Sequence, residues 1–140
     1  MLLNRSILQA AAATALTLSA LAAQAQNATI NYNRCDGNYE GWGAHLWKDG
    51  GIPLPGVEWQ KPMPPSGKND FGVYWTIKLD DFVKGRVNYI IHKADTKDQG
   101  GRDMAFDGNA TKEIWVNNGD RKIYTSLADA QKARTDKPCP

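Results

Sequence analysis

Two cysteines, two histidines and three methionines are all the sulfur and imidazole in these 140 residues. A zinc site needs more ligands than Cys35, His45, His92 and Cys139 supply from such scattered positions, so no metal is expected. An excess of one charge is also missing. Seventeen Lys and Arg stand against 15 Asp and Glu, a formal net charge of +2. A nucleic-acid binder needs a concentrated basic face to displace counterions, and this balance argues against one. Beyond residue 25 no stretch of about 18 residues is apolar throughout, so no membrane span is expected there. A (β/α)8 barrel needs about 250 residues and cannot fit. No internal repeat is visible, and no cofactor is implied.

One long apolar run is present, at the N-terminus. The stretch MLLNRSILQAAAATALTLSALAAQAQ carries a single charge, Arg5, then an apolar middle, and reaches Ala23-Gln24-Ala25. This is the pattern of a secretory signal peptide over residues 1–25. Removing it leaves 115 residues (140 − 25), one exported domain over 26–140, either periplasmic or extracellular. About 115 residues bury roughly 65% of their unfolded surface, enough for one modest core. In an exported chain an even pair of cysteines reads as a disulfide. Cys35 and Cys139 would close 104 residues (139 − 35), a stabilisation of up to about 4–5 kcal/mol in the chain-entropy picture.

Short β-type runs alternate with Gly, Pro, Asn and Asp clusters. Strands are expected at Ala28–Asn33, Trp42–Lys48, Gly72–Leu79, Arg86–Lys93, Met104–Phe106, Glu113–Val116 and Lys122–Thr125. Val73-Tyr74-Trp75-Thr76-Ile77-Lys78-Leu79 is the clearest. Its period of two marks a half-buried strand with Trp75 and Ile77 inward. Turn chemistry fills Asp49-Gly50-Gly51, Pro62-Met63-Pro64-Pro65, Asp98-Gln99-Gly100-Gly101 and Asn117-Asn118-Gly119-Asp120. Many short strands so punctuated predict an all-β fold, an antiparallel, immunoglobulin-like β-sandwich. Only the C-terminal end reads as helix. Ser126 can cap it, Ala128, Ala130, Lys132 and Ala133 favour it, and Pro138 stops it, which gives one or two turns.

The 13 Trp, Tyr and Phe residues all follow residue 25. Most are core filling, Trp75 and Phe71 among them, while Trp115 could face either way. Gly41-Trp42-Gly43-Ala44-His45-Leu46-Trp47 stands apart. With Trp42, Ala44 and Leu46 inward, His45 and Trp47 face solvent about 7 Å apart. An exposed indole beside an imidazole is costly unless it meets a ligand. Flat C–H faces of sugar rings are a fitting one; a surface Trp covered by a loop is the alternative.

The run Tyr32-Asn33-Arg34-Cys35-Asp36-Gly37-Asn38-Tyr39-Glu40-Gly41-Trp42 resembles the opening motif of pullulanase-associated starch-binding modules, carbohydrate-binding module family 41. That motif reads Tyr-x-Arg-x-Asp-Gly-x-Tyr-x-Gly-Trp. Weaker likenesses follow in order at Asn69-Asp70-Phe71-Gly72, Ile90-Ile91-His92-Lys93 leading to Lys97-Asp98, Ile114-Trp115-Val116, and Gly119-Asp120 leading to Ile123-Tyr124. The resemblance implies a non-catalytic β-sandwich that binds pullulan, starch, glycogen or maltooligosaccharides. It places stacking aromatics at His45 and Trp47, and hydroxyl-binding groups at Lys97 and Asp103, with Asp98 a near competitor. Trp42 is assigned to supporting the strand. Three departures stand out. His45 occupies a position where some members carry Trp, Cys35 is sensible only if paired with Cys139, and no enzyme follows the module. A separate α-glucan-degrading enzyme is therefore the expected partner.

Other constellations are weaker. The charged stretch of Lys93, Asp95, Lys97, Asp98, Arg102 and Asp103 lacks the ligand spacing of an EF-hand. Glu58 and Asp70 could be imagined as a glycosidase pair, but nothing in the sequence sets their separation. No nucleophile elbow accompanies the Ser, His and Asp residues. Asn27 and Asn109 open glycosylation sequons, which matter only in a glycosylating host. The alternative function is a secreted interaction or inhibitor domain acting on an extracytoplasmic enzyme.

Overall fold

The computed structural model describes residues 26–139. The expected signal peptide, residues 1–25, lies outside them. Among the described residues, nine strands form two sheets. In chain order they are β1 (Asn27–Asn33), β2 (Gly43–Lys48), β3 (Ile52–Pro53), β4 (Gly67–Lys68), β5 (Val73–Lys78), β6 (Arg86–Lys93), β7 (Thr96–Lys97), β8 (Met104–Asp107) and β9 (Glu113–Asn117), followed by one helix, α1 (Leu127–Asp136). The first sheet runs β4-β5-β1-β9. The second runs β3-β2-β6-β7, with β8 also on β6. The sandwich is therefore as expected, with one difference. β1 pairs with β9 in parallel, Ile30 opposite Ile114 and Tyr32 opposite Val116, because the chain returns to the first sheet after visiting the second.

Alternation places the core. Ala28, Ile30, Trp75, Ile77, Ile114 and Val116 of the first sheet meet Ala44, Leu46, Val87, Tyr89 and Ile91 of the second, all buried. Trp75 is fully inside, and its Nε1–H donates to the Met63 carbonyl at 2.8 Å. Two expectations are corrected. Phe71 is half-buried in the β4–β5 turn, where Asn69 organises the backbone and the Phe71 carbonyl accepts from Asn33. Lys122–Thr125 is no strand. Asp120 takes the Lys122 amide into a side-chain turn, and a single bridge, Tyr124 to Trp115, remains. Trp115 is half-buried there.

Helix α1 is longer than expected, ten residues. Ser126 caps it through the Asp129 amide at 3.1 Å, and a Lys132–Asp136 pair one turn apart supports its last turn. Ala130 is its buried contact, and its carbonyl accepts from Asn117 Nδ2 on β9 at 2.9 Å. Cys35 and Cys139 form the disulfide, with Cα atoms 5.4 Å apart.

The opening motif is used up inside the protein. The Arg34 guanidinium lies 4.1 Å over the Trp42 ring, chelates Asp36, and donates to the Tyr32 hydroxyl at 3.0 Å. Tyr32 in turn donates to Asp98 Oδ2. Burial first, and then the Asp98 charge, push the Tyr32 phenol far above its ordinary range. Asp98 Oδ1 accepts from the Gln99 amide at 2.7 Å and the Gly119 amide at 2.8 Å. Trp42 supports the strand as expected, 6.1 Å from Tyr32. A buried carboxylate is tolerable only while so paired. Asp98→Ala is expected to cost about 3 kcal/mol or more in urea unfolding, whereas exposed Asp103→Ala should stay within about 0.5 kcal/mol. Equal effects of the two would contradict this network.

Candidate functional site

Strand register puts the site on the outer face of the second sheet. His45 faces Ile90, Trp47 faces Asn88, and Gly43 faces His92 across β2 and β6. His92 faces Lys97 across β6 and β7. Directly opposed residues share a face, so His45, Trp47, Ile90, His92 and Lys97 all point away from the core. The His45 and Trp47 ring centres lie 5.6 Å apart with planes 33° from parallel. Both are half-buried. They line an open depression of about 270 Å³ together with Gly51, Trp59, Ile90 and Asp103.

Trp59 is the residue that sequence reasoning missed. It lies in the β3–β4 connection, between polar Glu58 and Gln60, where no periodicity reports on its direction. A lone indole with polar neighbours in a Pro-rich loop was the only available signal. Its ring stacks on His92 at 3.8 Å and 2°, and it meets His45 edge-on at 5.5 Å. Its Nε1–H donates to Asp95 Oδ1 at 2.9 Å. The Lys97 ammonium stands 5.4 Å over the ring, within cation–π range.

The loop bearing Trp59 is held close by the strand beneath it. Met63 exchanges backbone hydrogen bonds with Ala44, 2.9 Å in each direction. Beside that bridge, a Cβ on Gly43 would lie 2.7 Å from the Pro62 ring, so only glycine lets the loop approach. His92 is thereby sealed under Trp59. Its Nδ1 lies 2.7 Å from the Ala94 carbonyl. A carbonyl only accepts, so Nδ1 carries a proton, and Nε2 is buried without a partner.

The expected site residues therefore separate as follows. His45, Trp47 and Asp103 share the depression, and Lys97 reaches the same face through Trp59. Asp98 does not compete, because its carboxylate is enclosed by Tyr32, Gln99 and Gly119. Of the charged stretch, Asp95 anchors Trp59. Asp103 is the one carboxylate lining the depression. Glu58 and Asp70 do not converge: Glu58 lies in the Trp59 loop and Asp70 in the β4–β5 turn of the other sheet. Among the described residues, no three His, Cys, Asp or Glu side chains gather to hold a metal, and no helix is long and apolar enough to cross a membrane.

Known proteins are similar to this chain in sequence and in fold. A family described as bacterial pullanase-associated domain matches residues 26–125. An α-amylase from Streptomyces lividans is 38% identical over 71 residues, covering 51% of this chain and 7% of that protein. Ligand-free PulA from Klebsiella pneumoniae superposes with a TM-score of 0.63 at 23% identity, over 81% of this chain and 12% of that one. Streptococcal virulence-factor family 41 carbohydrate-binding modules, which recognise α-glucans, give 0.57 at 22% identity, over 71% of this chain and 47% of theirs. At such identities these structures establish the fold. This chain spans a small part of the two enzymes and about half of the streptococcal chain.

Burial, and then the neighbouring His92, hold the His45 imidazole below its ordinary pKa of 6.5, while Asp103 and the Glu58 backbone pull it up. Lys97 and Asp95 are further charged groups at this aromatic cluster, both against Trp59. A depressed pKa means that the folded state prefers the neutral ring. Its contribution is fully present above about pH 6.5 and is lost as pH falls through the lower folded value. Tryptophan fluorescence should be flat from pH 8 to about 6.5 and then change on acidification. In His45→Phe that step should be missing; the same step in the variant would contradict the assignment.

Proposed function

This chain belongs to the bacterial pullanase-associated domain family, and we propose that it is an exported, non-catalytic module that binds α-glucans such as pullulan, starch, glycogen or maltooligosaccharides. The observation that carries this reading is the His45–Trp47 pair, two rings 5.6 Å apart lining an open depression on the outer sheet face. Alternate residues on a strand sit about 7 Å apart, a spacing suited to neighbouring sugar units. Trp47 and His45 stack on pyranose C–H faces, and Trp59 forms a third wall set steeply to His45. Lys97 donates to sugar hydroxyls and Asp103 accepts from them.

Glycoside cleavage uses two facing carboxylates, whereas this reading uses Asp103 of the depression to accept from sugar hydroxyls. The partner this reading implies is an α-glucan-degrading enzyme acting on the same polymer, outside the cytoplasm. A disulfide between Cys35 and Cys139 suits that compartment.

An open, wet site of this size should bind at about −4 to −7 kcal/mol, roughly millimolar to ten micromolar. Its ligand is neutral, so added salt should leave the affinity unchanged. Native gels with and without pullulan test the proposal: the chain should be retarded by the polymer, and Trp47→Ala should run freely while keeping its fold. Unretarded parent protein would instead favour an interaction or inhibitor domain. A retarded Trp47→Ala would place the site elsewhere.

A further inference from the structure

The outer face of the second sheet is open over only part of its length. Gly43, His45 and Trp47 point outward from alternate positions of β2, and β6 sets His92 opposite Gly43 and Ile90 opposite His45. The row of Gly43 and His92 is roofed. A Cβ on Gly43 would lie 2.7 Å from the Pro62 ring, so the β3–β4 connection fills the space a side chain would take there. Trp59, from the same connection, covers the other half of the row by stacking on His92, which is 0% exposed. The open depression begins at the next row, His45 with Ile90, and runs on to Trp47.

Trp59 therefore stands across the line of β2, one step beyond His45. Ring centres are spaced 5.6 Å from Trp47 to His45 and 5.5 Å from His45 to Trp59. The first step turns the ring plane by 33° and the second by 71°. A saccharide resting on Trp47 and His45 meets the indole at its next unit. The indole is not free to swing aside. His92 backs it, Asp95 takes its Nε1–H at 2.9 Å, and the Ala44–Met63 bridge holds its loop.

We propose, on the basis of the α-glucan reading of this depression, that Trp59 is its specificity-determining residue, refusing the interior of a straight β-1,4-glucan and admitting chains that bend off the sheet after two units. In a β-1,4-glucan both bonds to each ring are equatorial, so successive rings run in line as a flat ribbon. Its ends can stop short of the wall, but its interior would have to pass through Trp59. An axial α bond turns each successive unit. A chain of that kind rests on two rings, rises from the sheet and clears the indole. Stacking alone does not make this choice, because a flat ribbon also lies well on aromatic planes. Discrimination here comes from an obstacle set against the wrong polymer.

The test is affinity electrophoresis of the whole chain in gels containing pullulan or hydroxyethylcellulose, long polymers in which chain ends are rare. The parent should be retarded by pullulan and run freely in hydroxyethylcellulose. Trp59→Ala bares the His92 ring and extends the floor, so hydroxyethylcellulose should now retard it, while its pullulan affinity falls by about tenfold or less. A pull-down on amorphous cellulose should give the same gain without the hydroxyethyl groups. Binding gained is a readout that damage to the fold does not produce. If Trp59→Ala does not fold, Trp59→Leu still covers His92 with a lower wall and should show a smaller gain. A folded variant that binds pullulan and still ignores both β-1,4 polymers would overturn the proposal alone, as would a parent retarded by hydroxyethylcellulose. A parent retarded by neither polymer would overturn the glucan reading and this inference with it.

Discussion

A single enclosed carboxylate holds the molecule's parts in register. Asp98 collects the Tyr32 hydroxyl from β1, the Gln99 amide from its own turn and the Gly119 amide beyond β9, with the Arg34 guanidinium 3.9 Å away. A charge in so dry a place is costly alone and stable only while every oxygen is engaged. These partners come from both sheets. The carboxylate therefore ties the turn that follows Lys97 to the turn that follows β9.

The aromatic face depends on a second constraint, the close approach of a loop to a strand. Gly43 leaves room for Pro62, the Ala44–Met63 bridge locks the loop, and Trp59 then lies flat on His92. Asp95 and Lys97 hold that indole from either end of the β6–β7 turn. The result is a trough instead of a flat platform: His45 and Trp47 form its floor and Trp59 a steep side. Rings so braced lose little freedom when a ligand arrives, and that limits the ordering cost of binding.

Much of this was legible from residue order, and the exceptions have physical reasons. Alternation from Val73 to Leu79 reported a strand because one face is core and the other is not. The cysteine pair was legible from its parity and setting. The spacing that put His45 and Trp47 outward depended only on Ala44 and Leu46 going in. The opening motif was recognisable for a reason the residues alone do not state: Tyr32, Arg34, Asp36 and Trp42 serve each other and Asp98, while the sugar-facing candidates follow later. Asp98 and Asp103 could not be separated by type, because their difference is one of burial. Trp59 left no local trace, since a loop side chain is aimed by contacts distant in sequence. The parallel pairing of β1 with β9 was invisible for the same reason.

The account rests most heavily on where a glucan sits. A crystal of this chain soaked with maltotetraose reads that directly. Pyranose rings are expected against Trp47 and His45 at about 4 Å, the contact distance of carbon on carbon, with hydroxyls reaching Asp103. Sugar density on any other face, with the Trp47 and His45 rings left bare, would contradict it.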